Sequence, residues 1–237
     1  MRTLGLIGGM SWESTIPYYR LINTRIKQQL GGLHSAELLL YSVDFAEIEK
    51  LQHAGDWDQA GRLLGDVAQR LQIAGADALV ICTNTMHRVL PEIEKHISIP
   101  VLHIADATAV SVVAAGIDCV GLLGTRFTME QDFFRSRLEQ RGLRVLVPNA
   151  EQRSIVHRVI YEELCLGQCR EESRDAYREI MRDLVAAGAG GIILGCTEIG
   201  LLVRAEDGAV ALFDTTILHA EFAADWALAQ TPETIAA

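Results

Sequence analysis

The sequence lacks any apolar run long enough to cross a bilayer, and basic residues are few. The apolar run in its first residues, MRTLGLIGGMSWES, is too short for a secretory signal. Lysine and arginine number 21 against 31 aspartates and glutamates, which gives a net charge of −10. Such a charge disfavours a nucleic-acid partner. We therefore expect a soluble cytoplasmic protein that binds neither membrane nor nucleic acid.

Cysteine is also scarce, and its number is odd. Five cysteines lie in or beside apolar runs, which is typical of proteins from a reducing cytoplasm. Cys165 and Cys169 are four positions apart, but Gly167 between them weakens a shared helical face. No second pair of ligands follows, so the sequence predicts no metal site.

Short apolar runs alternate with longer amphipathic segments along the whole chain. The content of aliphatic residues in the runs is typical of strands buried on both faces of a parallel sheet. The predicted strands are TLGLIG, ELLLYSV, DALVICT, PVLHI, CVGLLGT, LRVLVP, GGIILGC and AVALFDT. Helical patterns such as DWDQAGRLLGDVAQRLQIAG and SRDAYREIMRDLVAAG lie between them. The alternation predicts an α/β fold with right-handed crossovers.

Two strand-and-turn units recur in the same order. AGADALVICTNTMH at 74–87 matches AGAGGIILGCTEIG at 187–200, and LGLIGGMS near the start matches VGLLGTRFT. Unrelated α/β units can share such glycine turns, but a true repeat predicts two similar pseudo-symmetric lobes. Ligands of α/β sheets bind beyond the carboxyl ends of the strands, which would place an active site in the cleft between the lobes.

The final strand and helix have no evident partner in the repeat. We therefore expect the segment 208–237 to return to the first half. This assigns 1–104 with 208–237 to the first lobe and 105–207 to the second.

The repeat places Thr83 opposite Cys196 at the two strand ends. A free thiol has a pKa near 8.5, and a helix N-terminus can lower it, so Cys196 is a candidate base. A small buried hydrophobic residue is its structural alternative. An alcohol has a pKa of roughly 16, so Thr83 as a free base would cost on the order of 12 kcal/mol. Cys196 is thus predicted as the base, with Thr83 or its water assisting reprotonation.

Other residues at the same turns are candidates for substrate binding. The turn GLIGGMS is not a dinucleotide-binding G-x-G-x-x-G motif, but its backbone N–H groups at Met10 and Ser11 could hold a carboxylate. Glu198 could orient an ammonium group or stabilise a first helical turn. Four short polar side chains could bind an α-carboxylate or an amine: Asn84, Thr85, Thr125 and Thr128. Each of them could instead cap a helix, which we expect at least for Thr128.

At these residues the chain resembles the aspartate/glutamate racemase family. The matching motifs, in family order, are GLIGGMS, TNTMH, GLLGTRFT, GCTE and FDTTILHA. The resemblance implies two α/β lobes, catalysis on an amino acid without pyridoxal phosphate or another cofactor, and often a homodimer. It also implies that Thr83 and Cys196 hold the two catalytic positions. The substrate-binding positions that it implies lie near Met10, Asn84, Thr85, Thr125 and Thr197.

The chain departs from the family pattern C-N-T-x-H because Thr83 stands at its first position. Cys82 lies one residue earlier, and strand alternation is expected to turn it to the other side. We therefore expect a preference for one enantiomer. Aspartate-specific members also carry a basic residue after the second strand and a lysine in the second lobe, where this chain has Cys165. Lys50 or Arg126 could substitute, and otherwise a broad or non-acidic substrate range follows.

Three functions remain open from the sequence. The first is an amino-acid racemase with Cys196 as its main base. The second is a single-cysteine decarboxylase or isomerase of a small dicarboxylic acid. The third is a binding protein that keeps the cleft without turnover.

Overall fold

A computed structural model describes residues 1–229 as two four-stranded parallel sheets flanked by helices. The first sheet has the order β2-β1-β3-β4, and the second has the order β6-β5-β7-β8. The predicted α/β fold with two lobes is confirmed. The strands are β1 Leu4–Gly8, β2 Leu38–Ser42, β3 Ala78–Ile81, β4 Val101–Leu102, β5 Cys119–Gly124, β6 Arg144–Leu146, β7 Gly191–Gly195 and β8 Ala211–Asp214.

Helices connect the strands and cover both faces of each sheet. They are α1 Trp12–Leu30, α2 Phe45–Ala54, α3 Trp57–Ile73, α4 Leu90–Ile93, α5 Ile104–Ala114, α6 Arg126–Glu130, α7 Asp132–Glu139, α8 Ala150–Glu162, α9 Glu171–Ala186, α10 Ile199–Leu202 and α11 Thr215–Leu228. Short 3-10 turns span Thr85–Val89, Leu164–Leu166 and Ala205–Asp207. The central strands β1, β3, β5 and β7 are buried throughout, because helices pack on both of their faces.

The internal repeat is visible in the backbone. Gly75 ends the turn after α3 and Gly188 ends the turn after α9, and both have a φ of 102°. That angle lies in the left-handed region, which glycine adopts without a steric penalty. The strands that follow, β3 and β7, each lie second from one edge of their sheets. Matching turns therefore place matching strands at the same point of the two sheets.

The expectation that the segment 208–237 returns to the first half is wrong for its strand, and residues 230–237 of that segment lie outside the described residues. Strand β8 pairs with β7 in parallel, with Ile193 opposite Phe213, and so belongs to the second sheet. In the strand order it corresponds to β4, which is only two residues long. So short a strand offers little sequence pattern to match, which is why β8 had no visible partner.

The helix that follows each edge strand crosses to the opposite lobe. Helix α5 follows β4 of the first sheet, yet its residues Ile104 and Val112 pack in the core of the second sheet with Leu122. Helix α11 follows β8 of the second sheet, and its alanines pack on the first sheet beside Leu6. The two helices also contact each other. Each lobe is therefore covered in part by a helix connected to the other.

Three buried histidines meet at the junction between the lobes. The rings of His87 and His103 lie 4.2 Å apart, and those of His87 and His219 lie 5.8 Å apart. His219 is fixed by the Tyr18 hydroxyl at 2.9 Å and by the Leu102 carbonyl at 2.8 Å. Burial lowers the pKa of His103 to about 2 and that of His219 to about 4, and it lowers the pKa of His87 well below its usual range. The cluster is therefore uncharged at neutral pH.

This cluster predicts that acid destabilises the fold. A histidine whose pKa is lower in the folded than in the unfolded state favours folding above pH 6.5, and that stability is lost as the pH falls. Between pH 6.5 and 5 each such histidine removes about 2 kcal/mol from the free energy of unfolding. In His103→Asn the amide oxygen can still cap α5, but the titrating group is removed. Urea unfolding at pH 7 and pH 5 should therefore show a smaller loss of the free energy of unfolding than in the unmodified protein. Equal losses in the two proteins would contradict the assignment.

Candidate active site

A small cavity lies between the lobes, where the turns after β3 and β7 meet. Thr83 follows β3 and Cys196 follows β7, and both line this cavity. The repeated turns therefore reach one space from opposite lobes. The complete lining is Met10, Phe45, Gln52, Thr83, Asn84, Thr85, Thr125, Ile160, Tyr161, Cys165, Cys196 and Glu198.

The Cys196 thiol is buried beside a carboxylate. Its Sγ atom donates to Oε2 of Glu198 over 3.0 Å, and the residue is 6% exposed. Burial raises the pKa of Cys196 well above its usual range, and the charge of Glu198 raises it further. The expected lowering by a helix N-terminus is wrong, because α10 has only four residues and an acidic side chain precedes it. At neutral pH the thiol is therefore protonated.

The Glu198 carboxylate connects the two lobes. Its Oε1 atom accepts from the Ser11 backbone N–H at 3.2 Å and from the Ser11 hydroxyl at 2.9 Å. Its Oε2 atom also accepts from the Thr197 hydroxyl at 2.9 Å. The Ser11 N–H, predicted to hold a substrate carboxylate, is thus occupied by Glu198. Ser11 and Thr197 lie behind the cavity wall and fix the carboxylate.

Short hydroxyl side chains from both lobes meet on another wall. The Oγ1 atoms of Thr85 and Thr125 are 3.0 Å apart, and Thr125 is 3.2 Å from Thr128. Thr125 caps α6 by accepting from the Thr128 backbone N–H. The expectation that Thr128 begins this helix is therefore wrong by three residues. Thr128 is buried and supports Thr125 without lining the cavity.

Asn84 has one free polar atom at the cavity. Its Nδ2 atom donates to the Thr215 hydroxyl at 3.0 Å, and that hydroxyl donates to the Leu194 carbonyl at 2.8 Å. Its Oδ1 atom is buried and has no hydrogen-bond partner among the described residues. A buried acceptor without a partner is costly, so it is available for a ligand donor.

Cys82 faces away from the cavity, as strand alternation predicts. It packs in the core of the first lobe with Leu4 and Tyr18. Burial raises the pKa of Cys82 above its usual range. It is therefore no replacement for a thiol at position 83.

Two aromatic side chains line the outer side of the cavity. Phe45 of α2 stacks on Tyr161 of α8 with ring centres 6.5 Å apart, and both side chains also line a wider outer pocket of about 760 Å³. The inner cavity offers only about 20 Å³ to the centre of a water molecule. Since that space holds little more than water, a larger ligand can enter only if the cavity widens.

Sequence reasoning missed the cavity residues that come from helices. None of them stands in a family motif, and the aromatic and aliphatic ones are typical of any helical face. Cys165 entered the sequence argument as an unsupported metal ligand and as the residue at the lysine position, and not as part of the cavity wall. The missed residues are Phe45, Gln52, Ile160 and Tyr161.

The comparison with known proteins supports the same family. The sequence profile of the family described as Asp/Glu/Hydantoin racemase matches residues 7–223, so the chain belongs to this family. Across residues 1–229, no helix has both the length and the apolar content needed to span a bilayer.

Two solved structures share both sequence and fold with the chain. A candidate Asp/Glu racemase from Yersinia pestis is 60% identical, with a TM-score of 0.89 over 97% of this chain and 100% of that one. An aspartate racemase homologue from Pyrococcus horikoshii is 33% identical, with a TM-score of 0.81 over 96% and 99% of the two chains. The broad specificity amino-acid racemase RacX of Bacillus subtilis is 24% identical over 64% of this chain and 67% of that protein.

The contact between Cys196 and Glu198 predicts how the thiol titrates. Because the negative charge of Glu198 raises the pKa of Cys196, Glu198→Gln should move the onset of thiolate formation to lower pH. The rate of iodoacetamide alkylation, followed by mass spectrometry of the peptide containing Cys196, should show this shift. Alkylation of the more exposed Cys169 in the same samples is the internal control. An unchanged pH profile at Cys196 would mean that the carboxylate does not act on the thiol.

Proposed function

We propose that the protein is a cofactor-independent amino-acid racemase in which Cys196 is the main base that moves the α-proton. The observation that carries this proposal is the placement of Thr83 and Cys196 on facing turns of one cavity. Racemisation needs a proton-transfer group on each side of one carbon, and the position of these two residues on different lobes supports their assignment to that role. Membership of the racemase family supports the reaction type.

The thiol must first become a thiolate. Glu198 Oε2, at 3.0 Å from Sγ, is placed to accept the thiol proton. A substrate ammonium group entering the cavity would favour the thiolate that this transfer forms. The thiolate then removes the α-proton, and the electron pair of the broken C–H bond moves into the substrate carboxylate. Cys196 is a thiol again at the end of this step.

Reprotonation from the opposite face completes the inversion. Thr83 and water have similar pKa values, both roughly nine units above neutral, so either can give a proton to the strongly basic carbanion, but only a water is replaced from solvent. We propose that a water held by the Thr83 hydroxyl donates the proton, and that the hydroxide left behind takes up, through solvent, the proton that Glu198 accepted from Cys196. The thiolate on one face and the water on the other therefore differ in their strength as bases, and one enantiomer is favoured as substrate.

The polar walls supply binding groups for the amino-acid backbone. Asn84 Oδ1 has a free acceptor position for the α-ammonium group. The paired hydroxyls of Thr85 and Thr125 can donate to the α-carboxylate. Because these two threonines come from different lobes, substrate binding would hold the lobes together.

Exchange of the α-hydrogen with solvent tests the reaction. In deuterium oxide, without pyridoxal phosphate or metal, the purified protein should exchange the α-hydrogen of L-amino acids. Cys196→Ser should reduce this rate by at least about a hundredfold, because a general base contributes that much. Cys169→Ser, at a residue outside the cavity, is the control and should keep the rate. Release of carbon dioxide from substituted malonates without α-exchange would instead favour the decarboxylase.

A second thiol should reduce the difference between the enantiomers. Thr83→Cys places an acid of suitable pKa on the opposite face, so the exchange rates of the L- and D-substrates should become more equal. Thr83→Ser keeps the hydroxyl and should keep the preference. Rates followed by proton NMR for each enantiomer measure the ratio. If Thr83→Cys leaves the ratio unchanged, the preference has a cause other than residue 83.

A further inference from the structure

Gln52 lies in the wall of the cavity and is oriented from the opposite lobe. It belongs to α2, is 4% exposed and shares the cavity with Thr83 and Cys196. The Tyr161 hydroxyl of α8 donates to Gln52 Oε1 over 2.8 Å. The amide nitrogen, in contrast, donates to the sulfur of Met86 at 3.0 Å.

The hydrogen bond from Gln52 Nε2 to the Met86 sulfur is a weak one for a buried amide. Thioether sulfur is a poor hydrogen-bond acceptor. A substrate oxygen near Nε2 would be a better partner, and Tyr161 would hold the amide in place meanwhile. Burial raises the pKa of Tyr161 above its usual range, so its hydroxyl stays protonated as a donor. The pair is thus a fixed, uncharged hydrogen-bonding group at the end of the cavity.

The charges around the cavity disfavour an acidic side chain at this point. Among the twelve described residues that line it, Glu198 is the one with a charged side chain. Arg126, Arg158 and the acidic Glu49 and Glu162 line the outer pocket, beyond the wall formed by Phe45, Tyr161 and Cys165. A substrate carboxylate beside Gln52 would be buried without a cation and close to another carboxylate, which is costly.

We propose that Gln52, oriented by Tyr161, selects amino acids with short neutral polar side chains that end in a hydroxyl or an amide. This inference rests on the proposed racemase function and names its substrate class. The side-chain oxygen replaces Met86 as the acceptor for Nε2. Such a substrate satisfies the buried amide without bringing a charge into the cavity.

Matched substrate pairs test the selection. L-Asparagine and L-aspartate have the same shape and differ in charge, and L-serine and L-2-aminobutyrate differ by a hydroxyl in place of a methyl group. We expect the kcat/KM of α-hydrogen exchange to be about tenfold or more higher for asparagine than for aspartate. The same difference should separate serine from 2-aminobutyrate, because a factor of about ten corresponds to one hydrogen bond. Aspartate exchanged as fast as asparagine would overturn the inference.

Variants of the pair locate the effect. Gln52→Leu should raise KM for serine and asparagine about tenfold, with little change in kcat, and should leave 2-aminobutyrate unaffected. Tyr161→Phe keeps the ring but releases the amide, and should weaken the same discrimination in a second, conservative way. Gln28→Leu, an exposed position on α1, is the control and should change neither substrate. Equal losses for all substrates would indicate a structural role and overturn the proposal.

Different results would contradict the substrate selection by Gln52 and the racemase function itself. Exchange with some amino acids but without discrimination by Gln52 would remove only the substrate class. Absence of exchange with every amino acid would remove the proposed racemase function, and this inference with it.

Discussion

The buried carboxylate of Glu198 is the interaction on which the candidate site depends. It accepts four hydrogen bonds, two from Ser11 in the first lobe and one each from Cys196 and Thr197 in the second. A carboxylate that is 2% exposed is unfavourable unless such donors surround it. The Glu198 carboxylate therefore links a contact between the lobes to the orientation of the Cys196 thiol. If Ser11 moved away, the carboxylate would need other donors such as water.

The same carboxylate helps to keep the thiol protonated in the absence of a ligand. Burial and the adjacent negative charge both favour the protonated form of Cys196. A cationic group in the cavity changes this balance, since it favours the thiolate over the thiol. In the proposed mechanism the substrate ammonium is that group. The reactive anion thus forms when the α-hydrogen is already in place, and a free thiolate is not exposed to oxidants or to other electrophiles.

Much of the fold followed from the sequence because its strands are short, aliphatic and separated by amphipathic helices. The pairing of β8 did not follow, since its counterpart β4 contains only Val101 and Leu102. In the site, the residues on repeated turns were found by comparing one half with the other. Gln52 and Tyr161 could not be found in this way, because they lie on helices and are 109 positions apart. The direction of the pKa shift of Cys196 could not be predicted either. The motif places Cys196 before a helix, but burial and the orientation of Glu198 raise its pKa instead of lowering it.

The exchange of α5 and α11 has a consequence for the order in which the chain folds during synthesis. The first sheet is complete once β4 has left the ribosome, but the alanine face that covers Leu6 lies on α11, near the end of the chain. Until that helix emerges, one apolar face of the nascent first lobe is covered only in part, by α1. The whole second lobe must therefore be translated before the first can finish folding, and the chain presents chaperones with a partly exposed sheet throughout that interval.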